Sequence, residues 1–520
     1  MVELLFWLSR LLAAIAGFLL LLLPLLQWVL LTLRPQNFPP GPPVIPGLGN
    51  LHQIPPSKPF LKFHEWSKQY GDLVSLKTAA GNLVITNSPK IIHELFDKRG
   101  AIYSNRPINH VHTKYIWPGP HDKAVPILQY DEYYPRWRKT FSYILRNAGI
   151  KRLLPLLEAE GSTLCQNLRR DKSSFKNHVQ SWSLAVPLVA TSGQRMEALP
   201  HGFAESMHTQ EEVLQFLIPG SAPLVDYFPV LKYVPKVFAS WKREAPRVRK
   251  LMVKDAMAFF LAGREQYEQM KEDLASVRVE GLIAKLLREQ NTPGLVKRER
   301  RFADLELGYL GQAAIGAAAD TTASSFLSLM CCFAAFPDVL KKAQEEVDQV
   351  AGNTPPTGDM LGKLVYLKAC ILEGTTFIAN AWTIHRDEKD YERPDDFMPG
   401  RFVKHPYGLR RSNDAPATEE DLEKSGRRAL YVFGSGRRQC TGEQFAFTTI
   451  MLAASKVVWA FDVLPPPGGV DVSIETGYKD NIVAESADPS VIFKVKDADR
   501  EAALVEDGSR TDGIAREMLG

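Results

Sequence analysis

The sequence predicts a mainly α-helical protein with a small β portion, carried on one N-terminal transmembrane helix. Three observations lead there. Residues 11–33 are apolar except for Gln27 and Thr32, a run long enough to cross a bilayer. Residues 158–289 place their apolar side chains at helical spacing, broken at Pro219-Gly220 and Val225-Asp226-Tyr227-Phe228-Pro229. Strand-like stretches are short: residues 73–77 and 83–86, joined through Ala79-Ala80-Gly81-Asn82, read as a hairpin.

Composition narrows the class. The 520 residues are 45% apolar and 23% charged, enough to bury a sizeable core. A formal net charge of +4 is too small to argue for nucleic acid, and no nucleic-acid partner is expected. The tightest basic run, Lys297-Arg298-Glu299-Arg300-Arg301, reads as a solvated loop. The cysteines (Cys165, Cys331, Cys332, Cys370 and Cys440) form no C-x-x-C pair and no zinc spacing, which fits a reducing compartment.

In chain order, residues 1–34 read as a membrane anchor kinked at Pro24. The run ends at Leu33-Arg34-Pro35, with no small-residue cleavage site, which favours an anchor over a signal peptide. Arg10 and Arg34 flank it on both sides, so charge does not orient it. Residues 35–50, rich in proline and glycine, read as a stiff hinge. A domain over 51–500 and a polar, frayed tail over 501–520 complete the division.

Within the domain, helices are expected over 60–70 and 89–99, and from Tyr133-Tyr134-Pro135-Arg136-Trp137-Arg138-Lys139 onward. Residues 304–336 form a long, nearly all-apolar helix centred on Gly316-Ala317-Ala318-Ala319-Asp320-Thr321-Thr322. An acid and a hydroxyl in mid-core need a reason, because burying Asp320 without partners costs several kcal/mol. Thr321 can bond backward to a carbonyl and open the helix. Such a groove can hold a diatomic ligand and pass protons to it. Residues 337–351 read as a polar, solvent-facing helix, and 364–373 as the next one.

The stretch that organises the chain is Phe433-Gly434-Ser435-Gly436-Arg437-Arg438-Gln439-Cys440-Thr441-Gly442, just before an apolar helical run over 445–459. Gly434, Gly436 and Gly442 remove Cβ atoms where backbone must bend or lie flat, and turn amides can then hold a sulfur's charge. A thiolate at Cys440 can serve as an axial iron ligand, and Arg438 offers a fork of donors to a nearby carboxylate such as a haem propionate.

The pattern F-x-x-G-x-R-x-C-x-G resembles the proximal loop of the cytochrome P450 family. That resemblance implies the cytochrome P450 fold, with haem b ligated by the Cys440 thiolate and contacted by Phe433, Gly436, Arg438 and Gly442. It further implies a monooxygenase that uses O2, electrons from NADPH-cytochrome P450 reductase, and an apolar small-molecule substrate. Asp320 and Thr321 resemble the family's oxygen-activation motif, with Ala318 where glycine is usual. Trp137 resembles the family's propionate-binding tryptophan; the arginine expected four residues later is Phe141, so that role falls to Arg138 or Lys139. The Pro-rich hinge and Asn380-Ala381-Trp382-Thr383-Ile384-His385-Arg386-Asp387 resemble microsomal fungal enzymes of secondary metabolism, of the O-methylsterigmatocystin oxidoreductase-like type. By that analogy the anchor is single-pass in endoplasmic reticulum lipid, with the catalytic domain cytosolic.

One family element is missing. Residues 364–373 resemble the helix bearing Glu-x-x-Arg, but Thr376 stands three residues after Glu373, and the chain runs at once into Gly374-Thr375-Thr376-Phe377-Ile378-Ala379-Asn380. The family places that run later, after intervening strands. The pattern resumes at Phe397-Met398-Pro399-Gly400-Arg401-Phe402, whose arginine completes the family's Glu/Arg/Arg cluster. Two rival readings follow: a haem-thiolate isomerase or dehydratase, against which Asp320-Thr321 argues, and a non-catalytic remnant.

Overall fold

The computed structural model describes residues 2–79, 81–122, 128–171, 174–195, 223–273, 278–373, 381–410, 426–479 and 483–519. The expected break at Pro219-Gly220 and the run from Gly374 to Asn380 lie outside them.

Helix α1 (Val2–Thr32) contains Pro24. Its Phe6–Thr32 portion, 27 residues, is long and apolar enough to cross a membrane and is not buried in protein. At its foot Trp28 Nε1 donates to Gly47 O at 2.9 Å, and Thr32 Oγ1 accepts from Gly47 N at 2.7 Å. Residues 35–50, read as a stiff hinge, are tied down along their length. Arg34 donates to Gly41 O, Pro42 O and Ser75 O at 2.7–3.0 Å, and Ser75 N donates to Pro40 O at 2.8 Å. Prolines lack an N–H but keep a carbonyl, and those carbonyls lace the segment onto the sheet.

Helix α2 (Pro59–Tyr70) leads into the hairpin of β1 (Leu73–Thr78) and β2 (Gly81–Thr86), antiparallel with Leu73 opposite Thr86. Trp66, Val74, Leu76 and Ile85 bury together between them. The helix expected over 89–99 is a short α turn, Pro89–Ile92, continued as a wider π turn over His93–Lys98.

The body is a helical stack: α3 (Tyr133–Leu145), α4 (Asn147–Arg170), α5 (Phe175–Ser192), α6 (Trp241–Glu272), α7 (Leu282–Asn291) and α8 (Asp304–Ala335). Helix α8 runs through the middle, packed on α5 and α6. The Glu306 carboxylate accepts from Ala303 N at 2.8 Å and caps its start. It stops at Phe336, because the following Pro337 disfavours helical backbone before it. A Cβ at Gly308 would meet Ala256 O at 2.2 Å, so the absence of one lets α6 lie directly on α8.

Helix α9 (Pro337–Ala351) is less solvent-facing than its composition implies, since Leu340, Ala343, Val347 and Ala351 form a buried stripe. Then come α10 (Val365–Glu373), α11 (Ala381–His385), α12 (Gly400–Lys404) and α13 (Glu443–Ala460). Strand β3 (Phe461–Leu464) pairs antiparallel with β6 (Ile492–Val495), and β4 (Tyr478–Lys479) with β5 (Glu485–Ser486). The β portion is small, as expected.

The C-terminus corrects the sequence reading. Residues read as a frayed polar tail form α14 (Ala498–Leu519), laid along α4 with Leu504, Thr511 and Ala515 buried. Lys456 of α13, fully buried, meets Asp507 Oδ2 at 2.7 Å, and the Ser162 hydroxyl donates to the same oxygen at 2.5 Å. Polar residues are tolerated inside because they satisfy one another.

Candidate functional site

The Cys440 loop is built from two tight turns, Tyr431–Phe433 and Gly436–Arg438, followed by α13. Cys440 N donates to Phe433 O at 2.7 Å, closing the loop on itself. Gly436 has φ +61°, and a Cβ there would meet Phe96 O at 2.0 Å, so only glycine fits. Its N–H donates to Asp97 Oδ1 at 2.8 Å, an oxygen that Arg428 also reaches at 2.6 Å. Asp97 lies 339 residues from Gly436 in the chain, so nothing local in the sequence pointed to it.

Cys440 is the exposed cysteine of the five; the other four are buried. It lines two cavities. Burial pushes its thiol above the ordinary range; the Gly442 amide, 3.3 Å from the sulfur, and the Arg138 charge pull the other way. The sulfur also sits just before the N-terminus of α13, the positive end of that helix, which favours a thiolate. A bound metal ion completes the deprotonation of such a thiol.

The first cavity, about 350 Å³, lies between the loop and α8. Its wall includes Phe433, Cys440, Gly442, Phe445, Trp137, Phe141, Ala317, Ala318, Thr321 and Thr322. The Thr321 hydroxyl donates back to Ala317 O at 2.6 Å, the backward bond expected from sequence. Asp320 does not line this cavity and is half-buried, where the sequence reading placed it in mid-core. Thr322, a second hydroxyl on the wall, was not singled out from sequence.

The second cavity, about 530 Å³, opens on the other side of Cys440 and is lined by Arg138, Lys139, Arg146 and Arg437 together with Tyr130 and Tyr134. Trp137 and Arg138, expected as neighbours in one role, thus face different cavities. Successive residues on a helix point about 100° apart.

Whether these residues fit a haem is decided by the polar atoms of the wall. Trp137 is buried, its indole N–H has no acceptor among the described residues, and its ring lies 4.5 Å from that of Phe141. A buried donor without a partner is what an anionic propionate would satisfy. Arg438 donates to Ser104 O at 2.8 Å and to Leu128 O, and lies 3.8 Å over the Tyr134 ring. Arg106, which sequence reasoning missed, is held below its ordinary pKa by burial and by the Arg438 charge. Cys440, Trp137 and Arg438 together fit a haem.

Arg401 Nε lies 3.0 Å from Glu373 Oε2, both side chains nearly buried. Glu373 Oε1 accepts from Met398 N at 3.2 Å, and Arg401 donates to the carbonyls of Glu392, Arg393 and Asp396 at 2.7–3.1 Å. Burial raises the Glu373 pKa, against the opposing Arg401 charge. Two members of the expected cluster therefore pair without the third.

Comparison with known proteins agrees with this geometry. The cytochrome P450 family model matches residues 39–373 and 371–486, two stretches that overlap at 371–373. The cytochrome P450 monooxygenase grgG of a Penicillium species is 33% identical, over 95% of this chain and 94% of that protein. That alignment has 537 positions, more than this chain's 520 residues, so it opens gaps on this side. The cytochrome P450 monooxygenase fogE of Aspergillus ruber is 28% identical over 82% of this chain and 81% of its own. Cytochrome P450 monooxygenase atE of Aspergillus terreus is 26% identical over 91% and 90%. On the family match, these relatives and a cysteine loop that fits a haem, the chain belongs to the cytochrome P450 family and is an oxidoreductase of that type.

Proposed function

We propose that this chain is a haem-thiolate monooxygenase that inserts one oxygen atom from O2 into an apolar small molecule, as a step in secondary-metabolite biosynthesis. The observation that carries the reading is Cys440, exposed on the wall of a largely apolar cavity that Ala317 and Thr321 also line. Haem b, when bound, supplies the iron at which O2 is activated with two electrons from NADPH. Cys440 would hold it, and Trp137 Nε1 and Arg438 would meet its carboxylates, with Phe433, Gly436 and Gly442 shaping the loop. Thr321 holds a proton at Oγ1 on the cavity wall, and Asp320, on the adjacent residue, replenishes it. The apolar walls exclude water, and with it unproductive proton delivery.

Arg138, Lys139, Arg146 and Arg437 give the second cavity a positive rim suited to an acidic electron donor, here NADPH-cytochrome P450 reductase. The apolar helix α1 supports a single-pass membrane protein, which we read as lying in the endoplasmic reticulum with its catalytic domain cytosolic. A second reading, a non-catalytic remnant that folds poorly or not at all, is favoured by one observation: the two family-matched stretches overlap at residues 371–373, after which the Glu-x-x-Arg arginine is absent.

A ferrous carbon monoxide difference spectrum tests both. The proposal expects a thiolate-type band that Cys440→Ser abolishes together with activity. A band that survives Cys440→Ser refutes the ligand assignment, and no band from the wild type supports the remnant.

A further inference from the structure

Gln312 lies on the wall of the α8 cavity, nine residues before Thr321 and so about 13 Å away along the helix axis. Its side-chain nitrogen donates twice to α6, to Asp255 Oδ2 at 2.9 Å and to Met252 O at 3.3 Å. A backbone carbonyl only accepts, so Met252 fixes which end of the amide is nitrogen, whatever the protonation of Asp255. The amide oxygen Oε1 is left over. Among the described residues no hydrogen bond is made to it, and the atom keeps some accessible surface on a residue that lines the cavity.

The surroundings define what would pair with it. Tyr309, on the preceding turn and the same cavity wall, gives its hydroxyl proton to Asp122 Oδ1 at 3.1 Å and has none to spare for Gln312. Trp117, packed in one cluster with Tyr309 and Met252, carries an indole N–H with no acceptor among the described residues. The Trp117 N–H is itself sealed, so this end of an otherwise apolar cavity presents a held acceptor. A hydroxyl both donates and accepts; an ether or a ketone cannot donate.

We infer that Gln312 selects substrates bearing a hydroxyl remote from the reacting carbon, accepting its hydrogen bond at Oε1. Asp255 and Met252 are positioning residues, since they act by holding the amide. The assignment rests on the reading of this cavity as the substrate site and deepens it to a class: apolar ring systems carrying a free hydroxyl. A merely structural Gln312, present to satisfy buried Asp255, predicts no such selectivity.

The test uses the full-length haem-loaded protein and two probes, 2-naphthol and 2-methoxynaphthalene, with dissociation constants measured by calorimetry. The ratio of the ether's constant to the naphthol's should fall about five- to tenfold in Gln312→Leu, the ether's own affinity staying within twofold, as one neutral hydrogen bond is lost. If Gln312→Leu does not fold, the double variant Gln312→Leu/Asp255→Leu removes both partners and is read the same way. An unchanged ratio, an equal loss for both probes, or no measurable binding to the wild type overturns the assignment. A normal thiolate carbon monoxide band with an unchanged ratio removes Gln312 alone. A Gln312-dependent ratio without that band removes the monooxygenase reading and leaves the hydroxyl preference standing.

Discussion

Replacing Asp507 by alanine should destabilise the whole domain through the helix that carries the cysteine loop. Lys456 is fully buried on α13, and its ammonium meets Asp507 Oδ2 at 2.7 Å. The same carboxylate accepts from Ser162 at 2.5 Å and from Arg510 at 2.7 Å. Asp507→Ala leaves an uncompensated charge in the interior, a change that costs about 3–5 kcal/mol. The unpaired Ser162 hydroxyl adds about 1 kcal/mol. Against a total stability of roughly 5–15 kcal/mol, that is enough to shift a melt clearly. Circular dichroism at 222 nm during thermal and urea unfolding measures it. Burial alone would raise the Asp507 pKa, but the Lys456 charge and the bonds from Lys456, Ser162 and Arg510 outweigh it and lower it. The stabilisation is thus present above the ordinary aspartate range, about pH 3.9, and fades as pH falls through the lowered native value. The gap between wild type and variant should be full at pH 7 and narrow in acid below that range. Lys456→Met/Asp507→Leu, which removes both charges, should recover most of the loss. An Asp507→Ala variant within about 1 kcal/mol of wild type at pH 7, or a double variant as weak as the single one, would refute the reasoning.

Thr321→Ala should keep haem bound but divert reducing equivalents to hydrogen peroxide, since the hydroxyl is assigned to proton delivery and not to ligation; NADPH consumed, peroxide formed and product made are measured together, and unchanged coupling removes Thr321 from the mechanism. Deleting residues 1–34 should release the protein from membranes, apart from weak association through residual apolar surface; a truncated protein still pelleting after carbonate washing means another segment spans. The 520-residue chain should hold haem at less than full occupancy, and a version with the family's Glu-x-x-Arg arginine and following strands restored after Glu373 should reach it. The loss of one charged member of a buried cluster costs about 3–5 kcal/mol, softened here by the Glu373–Arg401 pair at 3.0 Å. Full haem occupancy of the chain as it stands would show that this pair suffices, and transcript sequencing would show whether the segment exists in the cell.

What the sequence by itself determined was whatever depends on neighbours along the chain. The apolar run of α1, the long α8 and the glycine-bracketed Cys440 each declare themselves within a few turns, because hydrophobic period and turn chemistry act locally. The backward bond from Thr321 to Ala317 was likewise foreseeable, being a four-residue contact. Tertiary structure alone decided the rest. It made a clasp of a polar C-terminus by bringing Asp507 to Ser162, 345 residues away in sequence, and it made a strap of the hinge by laying Arg34 against Ser75. It put Trp137 and Arg138 on different cavities, although they are adjacent in the chain. It turned Gln312, one polar residue in an apolar helix, into a held acceptor by setting Met252 and Asp255 against it. In each case the free energy of a polar side chain depends on which distant groups satisfy it, and composition and spacing do not carry that information.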